Sequence, residues 1–185
     1  AFHPLQSFTQ GESNLEFLSG STVAVEGEEP LLGVLKDMAS ALGCFWVVIK
    51  PEDRVRYHMA AVFASNYLVT LLKMATDLWC SFGMTREEAF SALLPLVRGT
   101  LRNIEGNGIP NCLTGPIARG DVATVEAHLA ELQSCASHLV APYQALSLQT
   151  VPIALEKGTI QEDTAEHFRR LLHGEELISL TRRGR

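Results

Sequence analysis

Apolar and polar positions change their period about a quarter of the way along the chain. Ser21-Thr-Val-Ala-Val-Glu26 alternates, is β-branched and closes on Gly27, which predicts a strand. Residues 28–42 shift to a helical period, with Leu31, Leu35, Met38 and Leu42 on one face and Gly43 placed to end the helix. Phe45-Trp-Val-Val-Ile49 is a continuous apolar run, which predicts a strand buried on both faces. Strand–helix–strand order belongs to α/β architecture. Two or three strands do not make a stable open sheet alone, and Ala1-Phe2 reads as the end of a strand. Residues 1–50 therefore read as the C-terminal remnant of a larger α/β domain.

From Glu52 the period is helical almost throughout, so 51–178 reads as an all-helical domain and 179–185 as a basic tail. Residues 52–82 hold neither Gly nor Pro, which predicts one helix of roughly 46 Å, stopped at Gly83. Thr85-Arg-Glu-Glu88 is a capping box that opens the next helix, running to about Glu105. Its core face is Phe90, Leu94, Val97, Leu101 and Ile104, and Pro95 predicts a kink or break near Leu93. Asp121 is placed to cap a helix with Val122, Val125, Leu129 and Leu132 inward. Pro142 and Pro152 are expected to break or kink the chain after that helix. Thr159-Ile-Gln-Glu162 opens a last helix that turns Ala165, Phe168 and Leu172 to the core. The fold class expected is mainly α, preceded by a short α/β segment.

Composition narrows the function classes. Fifteen Lys and Arg against twenty-one Asp and Glu give a net charge of −6 and a pI near 5.5, which lacks the electrostatic footprint of a general nucleic-acid binder. Cys44, Cys80, Cys112 and Cys135 form no C-x-x-C pair and read as reduced thiols of a cytoplasmic or organelle-matrix protein. The histidines show no zinc spacing. AFHPLQSF lacks the pattern of a signal peptide. Met59–Leu72 is interrupted by Ser65, Asn66 and Thr70, too short and too polar for a membrane span. Neither G-x-G-x-x-G nor G-x-x-x-x-G-K-[ST] occurs, so the chain carries no recognisable nucleotide site of its own.

Three segments carry candidate chemistry. His3, Gln6 and Ser7 follow a strand end, where open α/β sheets bind ligands; the alternative is a Pro-initiated loop with an exposed His. On the long helix His58 and Asn66 lie eight residues apart, about 12 Å along the axis and about 80° around it, so both can border one groove without touching. A functional His58 would donate a proton or a hydrogen bond; the alternative is an ordinary polar stripe of Asn66, Thr70, Lys73 and Asp77. The third segment joins Thr100 and Asn103, at the polar end of a ridge that begins at Leu93 and Leu96, to Leu113-Thr-Gly-Pro-Ile-Ala-Arg-Gly-Asp121. It predicts a partly buried polar site with Arg98, Arg102 and Arg119 converging on an anion near a helix N-terminus. The alternative is a structural turn in which Asp121 caps the helix and Arg119 pairs with a carboxylate.

These segments also carry a resemblance. His3-Pro-Leu-Gln-Ser-Phe8, Tyr57-His58 with Ala60-Ala61, Ser65-Asn66-Tyr67, Pro95-Leu96, Gly99-Thr100, Asn103, Leu113-Thr-Gly-Pro116, Arg119-Gly-Asp121 and Thr124-Val125 resemble the Rossmann-like proteins with C-terminal domain of unknown function 2520, over residues 1–157. That family is similar to 6-phosphogluconate dehydrogenase, ketopantoate reductase and pyrroline-5-carboxylate reductase, in which a Rossmann domain holds NAD(P) and a helical domain closes the substrate cleft and often dimerises. The resemblance implies a NAD(P)-linked oxidoreductase acting on a small carbonyl, imine or hydroxy compound. This chain would be its substrate-binding and dimerisation part, a homodimer that binds neither nucleic acid nor membrane. It implies catalytic roles for His3, His58 and Asn66, and substrate binding by Gln6, Ser7, Thr100, Asn103, Thr114, Gly115, Arg119 and Asp121. A full-length member has roughly a hundred further residues before His3, including the Gly-rich fingerprint, so NAD(P) is expected in the full-length form and not on this chain alone. One departure stands out. The related dehydrogenases pair Lys and Asn one turn apart on the long helix, whereas here His58 is followed by Val62. The alternative function is a non-catalytic helical dimerisation or ligand-sensing module.

Overall fold

A computed structural model describes residues 1–8 and 17–174; the basic tail lies outside the described residues. Of the described residues 68% are helical and three strands form one small sheet; the chain divides into two compact units, Ala1–Leu71 and Leu72–Arg185.

In the first unit three strands, β1 (Phe2–Pro4), β2 (Thr22–Val25) and β3 (Phe45–Val48), lie in the order β1-β2-β3. β1 runs antiparallel to β2, with Phe2 opposite Val25, and β3 runs parallel to it, with Val25 opposite Val48. Helix α1 (Leu31–Ala41) makes the crossover. β2 is central, and its Val23, Ala24 and Val25 are wholly buried. Ala39 and Cys44 complete the core, with Phe2, Leu18, Leu32 and Leu35 packed on it.

Two expectations about burial fail here. α1 turns Leu32, Leu35 and Ala39 inward, while Leu31, Met38 and Leu42 are exposed, so the buried stripe lies about one residue off the expected face. β3 is exposed rather than buried on both faces, from 70% at Phe45 to 41% at Val47. Among the described residues it pairs only with β2 and lies at the edge of the sheet, and Lys36 Nζ sits 5.0 Å from the centre of the Trp46 ring. Gly43 does end α1. It takes φ +71°, its amide donates to Ser40 and the Cys44 amide donates to Ala39, which is the Schellman closure. A Cβ there would meet Ser19 Oγ at 2.7 Å.

The long apolar stretch is helical as expected, from Pro51 to Cys80. It opens with a 3₁₀ turn, continues as α2 (Arg54–Ala61), passes through a π turn at Val62–Asn66 and becomes α3 (Tyr67–Cys80). The π turn, marked by the Tyr67 amide donating to the Val62 carbonyl, has no counterpart in the sequence-based expectation. By length and composition this stretch could cross a membrane: its most apolar window has mean hydropathy 1.3 and is 6% buried.

The second unit is helical. Helix α4 (Arg86–Asn107) starts at the expected capping box, in which Glu88 N donates to Thr85 Oγ1 and Thr85 N to Glu88 Oε2. Pro95 neither breaks α4 nor splits it; the Ser91 carbonyl, four residues back, goes without its helical partner at an exposed position. The face of α4 also differs, with Ala89 and Leu93 buried and Phe90, Leu101 and Ile104 exposed. Asp121 caps α5 (Val122–Cys135), and Val125, Leu129 and Leu132 are buried as expected. Helix α6 (Val140–Lys157) runs through both prolines. Pro142 sits in the first turn, where its missing amide would have no helical partner anyway. Helix α7 (Glu162–Leu172) buries Ala165, Phe168 and Leu172 as expected, but its cap differs: Thr159 bonds back to the Ala154 carbonyl, and Gln161 precedes the helix without a side-chain cap. The core joins Ile117, Val125, Leu129, Val151, Ala154, Ile160, Phe168 and Leu171.

Candidate functional site

The first unit contains a groove of about 340 Å³ lined by Ala1, His3, Ala24, Glu26, Ile49, Arg54, Tyr57 and His58. Its geometry arises from the sheet. β1 places His3 opposite Ala24, β2 and β3 lead into Glu26 and Ile49, and α2 starts soon after β3 and supplies Arg54, Tyr57 and His58. Ligands bind outside strand ends in such sheets because helices and loops open around them.

Inside the groove the polar groups are organised in pairs. Arg54 holds the Glu26 carboxylate through both Nε and Nη2. That hydrogen bonding keeps the Glu26 carboxyl below its ordinary value, against a smaller opposing effect of burial and with help from the Arg54 charge. The Tyr57 hydroxyl lies 3.1 Å from His3 Nδ1 and donates to the His3 carbonyl at 3.4 Å. The two rings meet edge to face, 5.6 Å between centres. Burial pushes the Tyr57 phenol up, so it remains a neutral donor. His58 is exposed. The groove can therefore accept or donate hydrogen bonds at two imidazoles and one phenol, beside a neutralised ion pair.

The other expected residues lie elsewhere. Gln6 Nε2 donates to the Phe17 carbonyl and its Oε1 accepts from the Ser7 amide, and neither Gln6 nor Ser7 lines the groove. Asn66 ends the π turn, exposed, with its carbonyl accepting from Thr70. A π turn absorbs one extra residue, so the offset of about 80° expected between His58 and Asn66 shrinks to roughly 20° and both stand on one side of the helix.

In the second unit Thr100 and Asn103 are exposed on α4, where Thr100 Oγ1 donates to the Leu96 carbonyl and the Asn103 carbonyl accepts from Asn107. This corrects the expected partly buried polar site: the α4 ridge turns its polar end to solvent. Of the arginines, Arg119 makes the pairing that the alternative reading expected. Arg119 Nη2 lies 3.8 Å from Asp121 Oδ2, and Arg98 and Arg102 have no ion-pair partner among the described residues. Thr114 is exposed, Gly115 takes φ +94°, and Ile117 and Ala118 are buried and anchor the loop. Lys157 Nζ donates to the Leu113 carbonyl at 2.6 Å.

Asp121 behaves as a cap: Oδ1 accepts from the Thr124 amide and Oδ2 from its hydroxyl. These bonds, the hydroxyl's first, hold its carboxyl below the ordinary 3.8, with smaller help from Arg119 and His128. A depressed folded-state value means that the cap's contribution is complete above the unfolded value and is lost as pH falls through the folded one. Amide exchange at Thr124 should therefore accelerate in acid well below pH 3.8; identical acid sensitivity in Asp121→Asn would show that the carboxylate is not responsible.

Tyr57 as a groove residue, the Glu26–Arg54 pair, and a second His–Tyr contact in which His128 Nδ1 lies 2.9 Å from Tyr143 Oη have no counterpart among the sequence-based expectations. Adjacent Tyr57-His58 was the one available signal; the other partners are far apart in sequence. Among the described residues no cluster of three His, Cys, Asp or Glu is placed to hold a metal ion. The turn from β2 into α1 does not suit a pyrophosphate either. The turn from β2 into α1 carries Gly27, Glu28 and Glu29, and Glu29 already accepts from the Gly33 amide at 3.1 Å. Two carboxylates at that turn repel a pyrophosphate.

No curated protein matches the chain. The protein TM1727 of Thermotoga maritima is similar in structure, with TM-score 0.74 and 28% identity over 84% of this chain and 61% of its own. A "putative NADP oxidoreductase", BF3122 of Bacteroides fragilis, gives TM-score 0.68 and 25% identity over 82% of this chain and 56% of its own. The chain thus spans about three fifths of the length of the solved proteins it matches. The family of the domain of unknown function DUF2520 matches residues 21–150, well over half of the sequence, and the chain belongs to that family.

Proposed function

We propose that this chain is the substrate-binding and dimerisation part of an NAD(P)-dependent oxidoreductase of the cytoplasm or an organelle matrix. Its substrate is a small carbonyl, imine or hydroxy compound. Residues 1–50 are the end of a Rossmann-like domain, and 51–178 are akin to the C-terminal domain of 6-phosphogluconate dehydrogenase and its reductase relatives. The observation that carries the reading is the groove lined by both His3 and His58; His3 lies within β1 rather than after a strand end as expected. Two imidazoles can supply and accept a proton at a substrate oxygen or nitrogen, and the name of the Bacteroides fragilis relative supports redox chemistry. Asn66, on the same long helix as His58, is proposed to meet the substrate with them. The cofactor would be held by a dinucleotide-binding domain and not by the residues described here. A second reading, a ligand-sensing module without turnover, is favoured by the acidic β2–α1 turn. The test is NAD(P)H consumption, across a panel of small carbonyls and imines, by a form carrying a dinucleotide-binding domain. Saturable ligand binding without any consumption would favour the sensing module.

The dimer is proposed on the long helix. Val55, Met59, Phe63 and Tyr67 recur every four residues and are exposed, Phe63 by 70%. Arg54, Arg56 and His58 interleave with this stripe, which suits a second copy of the chain better than lipid, where such charges are costly. Sedimentation should give twice the chain mass of 20.2 kDa, falling to that mass in Phe63→Glu. Co-flotation with lipid vesicles, or a monomeric parent chain, would sink the dimer.

A further inference from the structure

We propose that the groove takes a small compound with a carboxylate beside its reacting group, a 2-oxo, 2-imino or 2-hydroxy acid, and that Arg54 grips that carboxylate. The proposal rests on the reading of the groove as a substrate site and narrows it to one substrate class.

The Glu26–Arg54 pair is formally neutral, yet its two halves are not presented equally. The Glu26 side chain is 13% exposed and that of Arg54 is 59% exposed. A ligand entering the groove therefore meets the guanidinium and not the carboxylate. A guanidinium carries five N–H donors in a flat fork. Arg54 spends Nε and Nη2 on the two Glu26 oxygens, which occupies one edge of the fork. The Nη1 edge has no partner among the described residues. A fork anchored along one edge is oriented in advance for two parallel bonds to a carboxylate along the other.

Within the groove nothing competes for that edge. Glu26 is the only carboxylate among the lining residues, and Ala1, Ala24 and Ile49 give it apolar walls. The nearby acids lie outside the lining. Asp53 pairs with Arg56, Glu52 precedes it in the 3₁₀ turn, and Glu28 and Glu29 belong to the β2–α1 turn, where Glu29 accepts from the Gly33 amide. The chain as a whole carries 21 acidic against 15 basic residues, so the cationic wall is a local inversion of its charge. A phosphate dianion would bring a second negative charge, for which the groove holds no second arginine or lysine.

The spacing along α2 sets the rest of the ligand. His58 follows Arg54 by four residues, one helical turn or about 6 Å, on the same side of the helix. Both line the groove, and the His58 ring has no hydrogen-bond partner among the described residues. A ligand that meets Arg54 with its carboxylate and His58 with an oxygen or nitrogen has the two groups within a few bonds of each other, as a 2-oxo or 2-hydroxy acid does. The volume of about 340 Å³ stands near the lower end of the range of roughly 300–1,000 Å³ for ligand sites, which suits a compound of few carbon atoms.

The test compares pyruvate with pyruvamide, which has the same shape and no charge. An isotopically labelled chain is titrated at pH about 8, above the ordinary imidazole value of about 6.5, so that the guanidinium and not an imidazolium is read. Pyruvate should shift the Arg54 side-chain and His58 ring resonances saturably, and pyruvamide should bind at least about tenfold more weakly, the loss of one charge-assisted contact. Arg54→Lys keeps the charge and loses the fork, and should weaken pyruvate by a similar factor while leaving pyruvamide unchanged. Equal binding of the two compounds, binding of neither, stronger binding of inorganic phosphate, or an unweakened Arg54→Lys chain would each overturn the proposal. Failure of the functional reading looks different. Pyruvate held at Arg54 with no NAD(P)H consumption by the form carrying a dinucleotide-binding domain would support the carboxylate site and sink the oxidoreductase.

Discussion

Phe168→Ala should lower the unfolding free energy of the chain by about 3–5 kcal/mol. Phe168 is wholly buried at the centre of the cluster that joins α5, α6 and α7. It sits between Ala165 and Leu172 on the inward face of α7 and is packed in one core with Val125, Leu129, Val151 and Leu171. Truncation removes the transfer energy of the ring and leaves a cavity that neighbours from three helices cannot all close. Domains hold only about 5–15 kcal/mol in total, so the loss is a large share of the stability of this one. Urea unfolding monitored by circular dichroism measures it. A loss below about 1 kcal/mol would mean that the ring is not the centre of the core. Phe168→Leu, which refills part of the volume, should recover a substantial part of the loss.

That prediction is available from the sequence, and the contrast with other elements shows why. In α7 the apolar residues are few and sharply spaced, so one face alone can be buried. The capping box at Thr85 and the Asp121 cap are legible for a similar reason, because donor and acceptor are three residues apart. In α1, α4 and β3 apolar residues are abundant, and abundance does not say which of them is covered. Leu31, Phe90 and Phe45 are as apolar as Leu32, Leu93 and Val23, yet only the latter pack into a core. Pro95 and Pro152 predict a kink or a break because a proline removes one helical bond, yet α4 and α6 both run on past them. The π turn leaves no compositional trace, since it exchanges one set of backbone bonds for another. The groove is half legible. His3 and His58 stand out by residue type, but the pairing of Tyr57 with His3 spans 54 residues and that of Arg54 with Glu26 spans 28, and no local pattern encodes a contact that the sheet creates.

His58→Ala should lower turnover of the proposed oxidoreductase at least about tenfold, within reach of the roughly 10²–10⁴ that a positioned acid or base supplies. The two histidines of the groove differ in a way that makes the effect readable. His3 is tied to Tyr57, whereas the His58 ring has no hydrogen-bond partner among the described residues and stands exposed at the groove wall. Removing it therefore breaks no intramolecular bond, and the melting temperature should hold while activity falls. The size of the fall in kcat against KM separates its roles. A group that hydrogen-bonds the ground state and the transition state alike raises KM and leaves kcat, while one that exchanges a proton in the reaction lowers kcat. His58→Gln sharpens the distinction, because an amide donates and accepts hydrogen bonds but carries no proton between them. If Gln restores the rate, His58 orients the substrate. If Gln is as slow as Ala, it moves a proton. Unchanged turnover in His58→Ala would remove it from the mechanism and leave proton transfer in the groove to His3.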